Sequence, residues 1–243
     1  MFRAELIKAW TTRTAFGLLI GTAVAAALGT ASMVLSQPAE QLSRSVHEQQ
    51  FYFINSILVA AFAVVLGVRS FTDEFRYGSI VPTFSLSPRR PKVLVAKLLA
   101  SAILGAILAV VAQAVMVGVA MLLSGAKGAR PAIAGADLRA MVGLVVAAAL
   151  WAAIGAAVGA AGRHQIAAIV GAIVWVLVVE NVAGSVIGDA ARFLPGRAGH
   201  AVADASAAGD LLSTGAGGVL LATYMAAAAV VGLLLLHRDV EAA

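Results

Sequence analysis

Six long apolar runs, separated by short polar stretches, divide the chain; they cover about 15–35, 51–70, 92–123, 138–162, 165–187 and 217–237. Each is about as long as the ~20 residues that a helix needs to cross a bilayer. The runs lack the strict alternation of apolar and polar positions that marks barrel strands. A backbone in lipid must satisfy its own hydrogen bonds, which leaves continuous helices. The pattern predicts an all-α membrane protein: one domain, residues 1–243, with six transmembrane helices.

The flanking stretches add detail. Residues 2–13, FRAELIKAWTTR, put Phe2, Leu6, Ala9 and Trp10 on one helical face, with Arg3, Glu5, Lys8 and Arg13 largely off it. Such a helix lies in the headgroup layer. Residues 1–14 are therefore expected as an N-terminal interfacial helix rather than a plain extension of the first span. A secretory signal is the rival reading of the first run. Ala15–Leu35 is too long for a signal core, and GTAS at 29–32 is only a vague cleavage motif.

The stretch FTDEFRYGSIVPTFSLSPRRP, residues 71–91, joins the second and third runs. Ser70-Phe71-Thr72-Asp73 has the spacing of a capping box, a helix-start signal. Asp73 and Glu74 would sit in a first turn, where negative charge suits the helix dipole. Gly78 can end that turn in a left-handed conformation. Ile80, Val81, Phe84 and Leu86 form an apolar patch around Pro82, and Ser87-Pro88 reads as an N-cap followed by proline, the order that opens a helix. A short amphipathic helix clamped between two spans is expected. By composition it serves equally to pass on force from a partner or to lie on anionic lipid.

Residues 188–216 are neither apolar enough to span nor polar enough for a disordered tail. Short helices dipping into the outer leaflet and a loose outer loop both fit. Gly17/Gly21, Gly155/Gly159 and Gly184/Gly188 have the spacing that lets helices approach closely, which supports a packed bundle without locating its seams.

Composition sharpens the class. Of 243 residues 61% are hydrophobic and 12% charged, against about 25% charged in soluble domains. There is no cysteine, so neither a disulfide framework nor a thiolate metal site arises. The net charge of +5 tempts one toward nucleic acid, but its distribution follows the membrane. With Met1 inside, eleven of the 17 Lys and Arg fall on inner segments and six on outer ones. The positive-inside bias then puts both termini in the cytoplasm. Lys127, Arg130 and Arg139 on one outer loop oppose it.

Polar residues within the runs are few. Glu180 lies well inside the fifth, beside Asn181. An acid there costs about 2.5–3.5 kcal/mol on insertion scales. A pathway for cationic or amphipathic substrates and a structural hydrogen bond near the outer end of the helix both account for it. Asn55, Ser56 and Gln113 each fit a bond to a neighbouring helix, and Trp175 and Phe62 fit packing or lipid contact. His47, His164, His200 and His237 sit in loops or at a span end, mostly on different sides. They make no metal pair at helical spacing and no serine–histidine constellation inside the bundle. No catalytic residue and no metal ligand are expected.

The order of an apolar span, DEFRYGSI, then SPRRPKVLVAKLL at the head of the next span resembles the permease subunits of type 2 ABC exporters. FRAELIKAW at the start and HRDV near the end fit the same pattern. The resemblance implies that residues 71–91 form a cytoplasmic coupling helix docking on a separate ATP-binding subunit. Asp73, Glu74, Phe75, Arg76, Tyr77, Gly78 and Ser79 would contribute to it; Pro82 interrupts a stretch that is usually a more continuous helix. It also implies that the second and fifth helices border a central cavity, which ranks Asn55, Glu180 and Asn181 as substrate-pathway candidates. The chain has no G-x-x-x-x-G-K-[ST] motif, so ATP and Mg would be held by the partner ATPase and no cofactor by this chain. The implied assembly has two ATP-binding subunits and a second permease copy, identical or related, in a bacterial inner membrane. The implied cargo is a small molecule, drug, antibiotic, peptide or lipid moved outward. A non-transporting immunity, sensor or scaffold subunit is the rival reading.

Overall fold

A computed structural model of the chain describes residues 2–38, 49–80, 89–129, 135–162, 164–203 and 211–241. Among the described residues every regular element is helical: α1 (Phe2–Thr11), α2 (Arg13–Ser36), α3 (Gln49–Arg76), α4 (Arg90–Ala126), α5 (Gly135–Ala161), α6 (Gln165–Val186), a 3-10 turn (Gly188–Phe193), α7 (Pro195–Val202) and α8 (Thr214–Glu241). Six of them, α2 to α6 and α8, are long and apolar enough to cross a membrane. The protein is an all-α, multi-pass membrane protein. With 37 residues, α4 is about 55 Å long and outruns a bilayer core of about 30 Å.

The bundle is organised around α5, whose residues Trp151–Ala157 are all buried. α3, α4 and α8 pack on it. Glycine lets the backbones meet without side chains between them. A Cβ at Gly67 of α3 would lie 1.9 Å from the Ala152 carbonyl oxygen. In return, Cβ atoms at Gly155 and Gly159 would lie 2.2 and 2.3 Å from the carbonyl oxygens of Val64 and Val68. Gly105 of α4 and Gly232 of α8 make the same approach to Ala148 and Ala157. Of the three spaced pairs in the sequence, Gly155/Gly159 is thus a helix seam. The others are not, since nothing crowds Gly17 and Gly188 serves a left-handed turn at φ 54°.

Two cations fix which ends lie together. Arg90 donates to the Leu236 carbonyl at 2.8 Å, joining the start of α4 to α8. At the opposite end Lys127 donates to the carbonyls of Val34, Leu35 and Gln37 at 2.8, 3.1 and 2.7 Å. Those carbonyls close α2, where a helix has acceptors without intrahelical donors and a negative dipole end. Lys127 therefore has a local capping role, which lowers its weight as a topology signal.

Of three sequence expectations for the flanking stretches, the first changes. The capping box at Ser70 starts no new helix, because α3 runs unbroken to Arg76. Two of its polar side chains are satisfied inside that helix: Thr72 donates back to the Val68 carbonyl at 3.0 Å, and Arg69 pairs with Asp73 at 3.1 Å. Gly78, at φ 69°, does supply the left-handed exit. Next, α4 begins at Arg90 with Pro91 in its first turn; Pro82 and Ser87-Pro88 lie outside the described residues. Last, α1 is a separate helix, parted from α2 by extended backbone at Thr12. It turns Glu5 and Lys8 toward the bundle and leaves Ile7 65% exposed. Residues 188–203 fold as the 3-10 turn and α7, and α7 packs on α5 and α8.

Candidate functional site

At the end carrying both termini, a buried charge cluster ties three helices together. The Lys97 ammonium of α4, 1% exposed, lies 2.7 Å from Glu5 Oε2 of α1 and 2.9 Å from Glu74 Oε1 of α3. It also donates to the Ser70 carbonyl at 3.0 Å and lies 5.1 Å from the centre of the Phe71 ring. An ammonium has three protons, and these three acceptors use them all. Lys8 pairs with Glu74 Oε1 as well. Glu74, expected to face a partner, is instead 2% exposed and committed inside the chain.

The neighbouring residues divide by direction. Successive helical positions point about 100° apart. Asp73 accordingly faces α6, where it accepts from Gln165 Nε2. Gln165 Oε1 in turn accepts from Arg76 Nη1 at 3.0 Å. Phe75 packs with Phe71, Leu94 and Leu236. Ser79 is half-buried. Arg76, Tyr77 and Gly78 are exposed, Tyr77 at 71%. Of the seven expected coupling residues, these three form the outward turn.

At the opposite end, α7 closes over a polar patch. A π turn, Trp175–Val179, interrupts α6 just before Glu180. This extra-residue winding sets Glu180 inward, where it is buried and accepts from Trp175 Nε1 at 2.9 Å. Gly196 of α7 lies so near that a Cβ there would fall 1.7 Å from Glu180 Oε2. Arg197 lines the same cavity of about 30 Å³, as does Asn181. The exposed Asn181 donates back to the Leu177 carbonyl at 2.8 Å. Asn55 is buried in α3, 2% exposed. Gln113 bonds the Met141 carbonyl at 3.0 Å, joining α4 to α5.

His200 of α7 was not singled out by spacing, yet it sits at the centre of this patch. Its Nδ1 is 2.7 Å from Ser56 Oγ of α3, and its ring lies 4.5 Å from that of Phe53. Ser56 donates to the Phe53 carbonyl at 2.8 Å. A hydroxyl has one proton and can also accept, so the direction of the His200–Ser56 bond follows the imidazole tautomer.

Burial, helped by the nearby Arg197 cation, pushes His200 from 6.5 to about 4. The unfolded chain thus takes up a proton that the folded chain refuses between those values. Stability is expected to be full above pH 6.5 and to fall as pH drops toward about 4, by up to about 1.4 kcal/mol per pH unit. Thermal melts in detergent across that range check it: His200→Gln should flatten the slope, and an unchanged slope would remove His200 as its source.

The residues that spacing did not reveal as partners are Lys97, Glu5 and His200. One signal was available for Lys97, a lone cation several residues into an apolar run, since ionisable groups there seek a partner. Among the described residues no three His, Asp or Glu side chains converge as metal ligands. Compared with known proteins, the chain matches no protein-family model and no curated protein sequence.

Proposed function

We propose that this chain is the membrane subunit of an ATP-driven exporter, with the Arg76–Gly78 turn as the place where a separate ATP-binding subunit pushes. The observation that carries the reading is the wiring behind the turn. Arg76 and Asp73 grip α6 through Gln165, and Glu74 grips α1 and α4 through Lys8 and Lys97. A force on the exposed turn therefore reaches four helices at once, as a switch between two packed arrangements requires. The resemblance of residues 71–97 to type 2 ABC permeases supports the same assignment.

Two further features support a pair of copies. The cavities at the two sites hold about 90 and 30 Å³, room for a few waters and too little for a hydrophobic cargo. The route then lies between two chains, and the exposed apolar row Ile166, Val170, Val174, Val178 and Val182 of α6 supplies a face for it. In this reading both termini are cytoplasmic and the cargo is hydrophobic or amphipathic.

Purification from the native membrane in mild detergent tests the proposal. An ATP-binding protein should accompany the chain in equal number. Replacing Arg76 and Tyr77 together by alanine should release it by about tenfold or more with only a small drop in melting temperature, because the Arg76–Gln165 bond that is lost is exposed. Glu74 is unsuitable for this test because its change would disturb the bundle itself. A chain that moves cargo in vesicles alone, or an ATPase that stays bound to the double variant, would overturn the assignment.

A further inference from the structure

At the terminus-bearing end the fold sorts charge by sign. Its described acids turn inward onto cations: Glu5 and Glu74 onto Lys97 at 2.7 and 2.9 Å, and Asp73 onto Arg69 at 3.1 Å. Their side chains are 13%, 2% and 25% exposed. Cations hold the outside. Arg76, Arg89 and Lys92 are exposed where α3 ends and α4 begins, and Arg3 and Arg13 on α1 and α2. Among the described side chains at this end no exposed acid offsets them.

The head of α4 also overhangs its neighbour. Thr12 and Thr14, at the start of α2, share a cavity with Lys97 and Ser101 of α4. That fixes which level of α4 meets the point where α2 enters the bilayer. Arg89, the residue before α4, lies two turns earlier than Lys97, about 12 Å along the helix. One headgroup layer is only about 5–8 Å deep. Arg89 and Lys92 therefore reach the water side of that layer, where a soluble partner meets them.

The overhang stands beside the Arg76–Gly78 turn. Ile80, just past the turn, packs on the cluster of Phe71, Leu94 and Leu236, and Arg90 holds the Leu236 carbonyl. Tyr77, 71% exposed, has the Arg76 guanidinium 5.7 Å from its ring centre. Tyrosine and arginine are the side chains in which interfaces concentrate their energy.

We infer that the head of α4 is a second docking point for the ATP-binding subunit, and that the surface received here is acidic, its carboxylates facing Arg76, Arg89 and Lys92 around a slot for Tyr77. This rests on the exporter reading above and adds the chemistry of the partner to it. Complementary charge speeds encounter and fixes register. A protruding surface that carries one sign only is suited to both.

The ATP-binding subunit that purifies with the chain is separated and rebound to the full chain in phosphatidylcholine nanodiscs. Raising salt from about 50 to about 500 mM should weaken binding about tenfold, because screening shortens the reach of exposed charges. Arg89→Gln with Lys92→Gln should weaken it about fivefold at low salt, the scale of two exposed ion pairs, and flatten the salt response. Arg89→Glu with Lys92→Glu should abolish binding, since like charges then face each other. Both residues are exposed, so melting temperatures should match the parent, and Arg139→Gln at the opposite end should change nothing. Binding that ignores salt and both double variants overturns the inference and leaves the exporter reading standing. If no ATP-binding protein accompanies the chain, the exporter reading falls and the inference falls with it. Double variants that lose phosphatidylglycerol in native mass spectrometry, yet hold the subunit as before, assign the cations to lipid and overturn the acidic partner.

Discussion

Lys97→Met is expected to loosen the terminus-bearing end of the bundle at a cost of about 3–5 kcal/mol. Two facts set the size. Lys97 and Glu74 are 1% and 2% exposed, and Glu5 on α1 is 13% exposed. Removing the shared cation leaves Glu5 without this partner and the buried Glu74 with only the half-exposed Lys8, which is worse than losing a contact. In a chain of this length that loss lowers the melting temperature by roughly 10 °C. Replacing Lys97, Glu74 and Glu5 together by apolar residues should recover much of it, because a buried ion group removed whole is often neutral. Scanning fluorimetry of the single and triple variants separates the effects. A single variant that melts within a degree of the parent would show that the ion pairs do not hold this end.

Gly67→Val is expected to cost still more, because no side chain can step aside. Its Cβ would stand 1.9 Å from the Ala152 carbonyl oxygen and 2.7 Å from the Ala156 nitrogen, both backbone. Relief requires α3 and α5 to separate along their seam, which also uncouples Gly155 and Gly159 from Val64 and Val68. Ordinary overpacking costs about 1–3 kcal/mol by shifting side chains, and rigid helix backbones cannot respond that way. The variant should fail to give a monodisperse species on size exclusion. Gly118→Ala on α4, with nothing within 4 Å, should match or slightly exceed the parent, since alanine suits a helix better. A folded, parent-like Gly67→Val would rule out the backbone contact.

The segment at 70–79 shows how far local reading reaches. Gly78 was legible as a left-handed exit because that depends on the residue alone. The start of the segment was misread because Ser70 and Asp73 resemble a cap in isolation. What cancels the cap is the second helix continuing past the apolar run, with Arg69 and Lys97 present to satisfy its acids. Glu74 and Arg76 are two positions apart, yet one is buried and one exposed. Their separation follows from helical rotation against neighbours that only the fold supplies.

Glu180 carries the same lesson at the other end. Its place in an apolar run marked it as needing a partner, and the run also located Asn181. The partners themselves, Trp175 across the π turn and the backbone of Gly196, come from a change in helical winding and from a segment that follows α6 in the chain. Neither leaves a periodic trace.

Taken by itself, the order of residues determined the class of solvent, the number of long helices and their approximate bounds. Those follow from local hydrophobicity summed over a bilayer's thickness, a property each run has alone. The tertiary structure alone decided that α5 is the hub, that Glu74 and Lys97 are internal, and that Arg76–Gly78 faces outward. Glycine and alanine are spread through all six runs, so which of them meet depends on how each helix is rotated about its axis. That rotation is settled by the sum of all its contacts.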